Sequence, residues 1–150
     1  MPEKALGPAP PSCSSSVSKS MRGNVGKDTK PEIELRKIIR EMGHLGYRLH
    51  WKNVPGHPDI SFPGRKLAIF LNGCFWHRCP KCKLKLPKSH TSFWEKKFRK
   101  NVERDKKNVK LLEKKGWITK IIWECEIKKD VLRVVASIDQ ALAKRHWRKN

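Results

Sequence analysis

A chain of 150 residues is long enough to bury one core without staples, and its 35 Lys and Arg against 14 Asp and Glu leave a net charge of +21. Such an excess works against compaction and asks for a polyanion, with nucleic acid ahead of a membrane surface. No apolar segment approaches the roughly 18 residues of a membrane span, and Met1-Pro2-Glu3-Lys4-Ala5 lacks the basic-then-apolar order of a secretory signal, so a cytosolic chain is expected.

Residues 1–17 are rich in Pro, Ser and Ala and read as a disordered lead, in which Cys13 has no assigned role. Residues 18–28 turn basic, with Met21 and Val25 as their large apolar side chains, and read as an arm that contacts DNA or as a mobile tail. A single domain is expected over 29–150. Thr29-Lys30-Pro31-Glu32 has the form of a capping box, with Thr as N-cap, Pro in the first turn and Glu at the third position. Leu35, Ile38, Ile39 and Met42 mark one helical face, and Gly43 ends it. Tyr47 to Trp51 alternates and predicts a strand. A second strand begins at Asp59-Ile60-Ser61-Phe62, turns at Pro63-Gly64, and pairs as a hairpin with the apolar run Leu67–Leu71.

From Ser89 to Lys115 a long, very basic helix is expected, with Trp94, Phe98, Val102, Val109 and Leu112 on its apolar face. Asp105 falls on that same face, where an acid is costly unless paired with a cation or metal. Gly116 stops the helix, Trp117 to Trp123 makes a further strand, and Val131 to about Leu142 a final helix with Leu132, Val135, Ile138 and Leu142 inward. The order α-β-β-β-α-β-α predicts an α/β fold, a mixed sheet with helices packed on it.

The chemistry concentrates after the Leu67–Leu71 strand, in Asn72-Gly73-Cys74-Phe75-Trp76-His77-Arg78-Cys79-Pro80-Lys81-Cys82. Short spacers between Cys74, Cys79 and Cys82 let one loop wrap its thiolates around a tetrahedral Zn²⁺. The fourth ligand is either Cys125 or the local His77. Reduced thiols in a small core are the competing reading, although Arg78, Pro80 and Lys81 are poor core neighbours. Asp59 opens its strand beside the one that carries this loop, a suitable place for a carboxylate to hold Mg²⁺ against phosphate. With His77 as a proton acceptor, Asn72 at the strand end, and Asp105 and Glu32 on sheet-facing helix surfaces, the set suits phosphodiester hydrolysis. The alternative is structural, with Glu32 capping, Asp105 in an ion pair and His77 on zinc. Phe75 and Trp76 either cover the zinc site or wedge between base pairs.

Ser18-Lys19-x-Met21-Arg22, Thr29-x-x-Glu32, Pro58-Asp59, Gly73-Cys74-Phe75-Trp76-His77, Phe93-Trp94, Asn101-Val102-Glu103-Arg104-Asp105 and Trp123-Glu124-Cys125 resemble the Vsr endonucleases of very-short-patch mismatch repair. That family is a branch of the PD-(D/E)xK nucleases, so the resemblance implies a restriction-endonuclease-like mixed sheet flanked by helices. It further implies nicking of one DNA strand beside a T:G mismatch left by deamination of 5-methylcytosine, in a bacterial cytosol or nucleoid. Asp59 becomes the Mg²⁺ carboxylate with the main-chain carbonyl of Leu71, and His77 the general base supported by Asp105, with Glu32 holding metal-bound water. Phe75 and Trp76 intercalate at the mismatch, while Met21, with Arg22 beside it on the arm, enters from the other groove. Cys74 and Cys125 hold a structural zinc.

Two departures bear on this. Asn72 stands where family members carry Asn, Asp or His, so it joins the catalytic set without a histidine's role. Cys79 and Cys82 replace a His-rich run, giving an all-cysteine zinc site completed by Cys125. The second acid and lysine of the wider superfamily are absent at Leu71-Asn72-Gly73, as in the Vsr branch. A monomer is expected, with mismatch-repair proteins as further partners. Two other functions fit the same residues: a non-catalytic zinc-containing DNA-binding module, whose affinity the charge alone explains, and a restriction or structure-specific nuclease on the same core.

Overall fold

The computed structural model describes residues 28–145. The first helix, α1 (Lys30–Glu41), starts where the capping residues place it, with Thr29 Oγ1 accepting the Glu32 N–H at 3.4 Å and Pro31 in the first turn. Only half of the expected capping box forms. The Glu32 carboxylate turns into the protein, where its side chain is 5 % exposed. Leu35 and Ile39 are fully buried, whereas Met42 lies beyond the last turn and is exposed.

The first strand is shorter than its alternation suggests. β1 covers Arg48–Leu49 alone, because His50 takes a left-handed conformation (φ 46°) that ends extension and swings its imidazole inward. β2 (Ile60–Phe62) pairs antiparallel with β1, and a short 3₁₀ turn (Pro63–Arg65) makes the hairpin into β3 (Leu67–Asn72). α2 (Thr91–Lys114) crosses over to β4 (Ile118–Trp123), which lies parallel to β3. The sheet order is therefore β1-β2-β3-β4, with one parallel and two antiparallel pairings. This is the mixed α/β architecture that the residues and the family resemblance both imply.

Two helices follow β4. α3 (Glu124–Lys129) escapes a periodicity reading because six residues show less than two turns. It is held locally, since Glu126 Oε2 accepts the Trp123 N–H at 2.9 Å and Lys128 pairs with Glu124 at 2.6 Å. α4 (Val131–Ala143) is capped by Asp130, whose Oδ1 accepts the Arg133 N–H. Its buried face is Val134, Val135, Ile138 and Leu142, which leaves Leu132 on the outside at 68 % exposure, contrary to expectation.

As a central strand, β3 buries both faces. Leu67, Ile69 and Leu71 pack on one side with α1, α3 and α4, while Ala68 and Phe70 pack on the other with Val54, Leu112 and Trp117. The period-two alternation of a strand assigns these residues to opposite layers. α2 thus covers one face alone, and the remaining helices cover the other. Among the described residues, no helix is long and apolar enough to cross a membrane.

Leu35 joins α1 to the larger core layer with no exposed surface. Leu35→Ala should lower the unfolding free energy by about 2–5 kcal/mol, measured by urea denaturation.

Candidate active site and metal centre

Parallel pairing sets the metal centre. Asn72 of β3 lies opposite Trp123 of β4, so Cys74 and Cys125, each two residues further on, leave the sheet side by side. The loop after β3 then winds back, with Cys79 N–H donating to Cys74 O at 3.0 Å. Arg78 adopts φ 57° at the turn and lays its guanidinium 4.7 Å from the Phe98 ring centre. The sulfurs of Cys74, Cys79, Cys82 and Cys125 all lie within 4.8 Å of one another, and Cys79 and Cys125 are 3.8 Å apart. A tetrahedron with Zn–S bonds of about 2.3 Å has edges of about 3.8 Å, so these soft donors fit Zn²⁺. Burial pushes the Cys74 thiol well above its ordinary value, which a bound cation reverses by favouring the thiolate. Cys125, not His77, is the fourth member of the cluster.

His77 is drawn elsewhere. Its N–H donates to Gly73 O, and Asn101 Nδ2 donates to Trp76 O at 3.1 Å, which ties the loop to α2. One turn further along α2, Asp105 Oδ2 meets His77 Nδ1 at 2.5 Å. With the carboxylate as acceptor, Nδ1 carries the proton and Nε2 is the basic nitrogen. The acid on the apolar stripe of α2 is thereby partnered.

His77 and Asp105 line an open cleft of about 550 Å³ together with Asp59, Leu71, Asn72 and Arg104. Asp59 reaches it from the loop before β2, where Gly56 (φ 80°) passes so near α2 that an added Cβ would stand 3.0 Å from Asn108 Cβ. Asp59 Oδ2 accepts the Leu71 N–H at 2.7 Å, which joins the carboxylate to the end of β3. Burial pushes the Asp59 carboxyl above its ordinary value; the Leu71 N–H draws it down, and the charge of Glu32 adds to the rise. A carboxylate is a hard oxygen donor of the kind that suits Mg²⁺.

Four expected site residues, Asp59, Asn72, His77 and Asp105, therefore share one cleft with the Leu71 main chain. Glu32 does not line it. His50 stands between, with Nδ1 at 3.6 Å from Asp59 Oδ1 and Nε2 at 3.3 Å from Glu32 Oε1. His50 was concealed in the sequence by the strand alternation around it. Asn108 and Arg104 were legible only as neighbours of Asp105, three residues after it and one before. Phe75 stacks edge-on against Trp76, Trp94 and Phe98, so the two loop aromatics form a half-buried cluster supported by α2. Met21 and Arg22 lie outside the described residues.

Residues 13–83 match the family model described as DNA mismatch endonuclease Vsr. The chain is 40 % identical over 102 residues to a type II nicking enzyme, V.XorIIP of Xanthomonas oryzae, covering 67 % of this chain and 74 % of the relative. It is 45 % identical over 104 residues to V.NmeAIP of Neisseria meningitidis, another type II nicking enzyme, covering 68 % and 72 %. With the DNA mismatch endonuclease Vsr of Escherichia coli it shares 37 % identity over 111 residues, covering 74 % and 70 %. Fold, cysteine cluster and relatives define a DNA nicking endonuclease. The chain belongs to the Vsr family.

Cys82 is exposed at the edge of the cluster, so its truncation removes a sulfur without opening the core. Cys82→Ala should drop the metal content from about one zinc per chain towards none and lower the melting temperature, read by elemental analysis and calorimetry. For Asp59, the folded value lies above the ordinary 3.8, so the folded state holds this proton more tightly. Ionisation then costs stability as pH rises through the window between the two values, and the cost is complete above it. In buffer without divalent cations, Asp59→Asn should melt higher than the native protein at pH 7, with the difference closing below about pH 4.

Proposed function

We propose that this protein nicks one strand of duplex DNA beside a T:G mismatch, by Mg²⁺-dependent phosphodiester hydrolysis in very short patch repair. The observation that carries the reading is the cleft itself, in which the Asp59 carboxylate faces the same space as the His77–Asp105 pair. The relative from Escherichia coli, named a DNA mismatch endonuclease, supports the mismatch as the target.

Asp59 and the main-chain carbonyl of Leu71 are the groups that would hold Mg²⁺. When bound there, it would supply Lewis-acid polarisation of the scissile phosphate. His77 Nε2 takes a proton from the attacking water, and Asp105 fixes the ring through Nδ1 and stabilises the imidazolium that results. Attack at phosphorus breaks one ester P–O bond, and the opposite strand stays intact. Asn72, buried at the end of β3, and Arg104, exposed at the cleft wall, both line the cleft and would meet phosphate oxygens there. Glu32 acts from behind His50, where its charge favours a cation at Asp59. Exposed Lys96, Arg99, Lys106, Lys107 and Lys110 on the outer side of α2 supply the sequence-independent attraction to DNA.

Phe75 and Trp76 serve as the wedge at the mismatch, where a T:G pair lowers the cost of unstacking. Met21 and Arg22, on the arm of residues 18–28, act from the other groove, and the nuclease domain of 29–150 works as a monomer.

The test is cleavage of an end-labelled T:G duplex in Mg²⁺, beside a matched T:A duplex. A single nick next to the mismatched thymine, absent from the control, is the expected product. Asp59→Ala should abolish it while DNA binding persists, and His77→Ala should slow it by about 10²–10⁴-fold. Equal cutting of both duplexes would retain the nuclease and remove the mismatch specificity. Salt-sensitive binding without any product would identify a DNA-binding module.

A further inference from the structure

Behind the cleft, three ligand atoms point at one another. One carboxylate oxygen each of Asp28 and Glu32 and one ring nitrogen of His50 lie within 4.8 Å of one another, and neither Glu32 Oε1 nor His50 Nε2 makes a hydrogen bond. Glu32 is not a surface acid: its side chain is 5 % exposed, and this inward-facing oxygen makes no hydrogen bond, with His50 Nε2 beside it at 3.3 Å. An unpaired buried carboxylate oxygen carries a large desolvation cost, which a cation offsets.

We propose that Asp28, Glu32 and His50 form a second cation site, distinct from the cysteine cluster and from the Asp59 cleft, that takes a divalent transition-metal ion. Three observations carry it. First, the spacing fits: ligands about 2.1–2.2 Å from one ion stand about 3–3.5 Å apart, against 3.3 Å between His50 and Glu32 and 3.7 Å between His50 and Asp28. Second, the other ring nitrogen of His50 faces Asp59 Oδ1 at 3.6 Å. Metal-binding histidines usually direct their second N–H at a carboxylate, which fixes the tautomer and raises the basicity of the ligating nitrogen. In the tautomer that carries its proton on Nδ1, the Nε2 lone pair meets carboxylate lone pairs, an arrangement that a bound cation relieves. Third, access and charge are provided for. Asp28 is half exposed and opens the site to solvent, and Arg36 Nη2, 2.8 Å from the same Asp28 oxygen, draws that carboxyl below its usual value. One imidazole with two carboxylates suits Mn²⁺ or Zn²⁺ better than Mg²⁺.

His50 then links the two sites, ligating one ion through Nε2 while its Nδ1 faces the carboxylate proposed for the other. A proton on His50 is the competing occupant of the same space.

The experiment uses the full zinc-loaded chain with Mn²⁺ as the probe, because Mn²⁺ favours nitrogen and oxygen donors and leaves the thiolates to zinc. Pulsed electron paramagnetic resonance should detect bound Mn²⁺ coupled to an imidazole nitrogen, and His50→Gln should abolish that coupling. Asp28→Asn, at the exposed edge, should weaken this binding by about tenfold or more with zinc content and circular dichroism unchanged. Bound Mn²⁺ with no nitrogen coupling, coupling that survives in His50→Gln, or unaltered affinity in Asp28→Asn would overturn the site. These readouts are independent of cleavage, so failure of the mismatch activity and failure of this site are separately visible.

Discussion

The parallel pairing of β3 with β4 is the constraint on which the rest depends. Its register sets Asn72 against Trp123, and everything after those two residues follows from that adjacency. Cys74 and Cys125 meet because both strands end at the same level. The loop between Cys74 and Cys82 can close only around a point that Cys125 also reaches. A shift of one residue would turn every side chain of β4 to the opposite face, taking Ile122 out of the core.

The cysteine cluster and the cleft occupy two sides of one loop, and the division is physical. Cysteines on its outer turns gather soft ligands, while the segment nearest the sheet turns His77 towards α2. That helix receives it with a stripe that is apolar at Trp94 and Phe98 and polar at Asn101 and Asp105. The same stripe therefore anchors the aromatic pair and holds the imidazole. His77 and Asp59 both approach the cleft through residues tied to the end of β3, beside the cysteine cluster. Structural and chemical functions are coupled through a single strand terminus.

His50 belongs to a different kind of feature. It leaves β1 in a strained left-handed conformation and sits among Asp28, Glu32 and Asp59. Positive φ in a bulky residue costs about 1–3 kcal/mol and persists where the surroundings require it. Three acids around one imidazole supply that requirement.

Much of this was legible in the chain. The capping residues before α1, the hairpin at Pro63-Gly64, the apolar β3 and the amphipathic α2 are local patterns, and each element formed where its period or punctuation placed it. Cysteine spacing announced a metal site, and Asp105 stood out because an acid on an apolar stripe demands a partner. The identity of that partner, the choice of Cys125 over His77 for the metal, and the burial of Glu32 were decided only by tertiary structure. Each depends on which residues distant in sequence become neighbours: 28 residues separate His77 from Asp105, and 46 separate Cys79 from Cys125. Periodicity reports the face a residue takes on its own element, whereas sheet register and helix packing determine what that face meets.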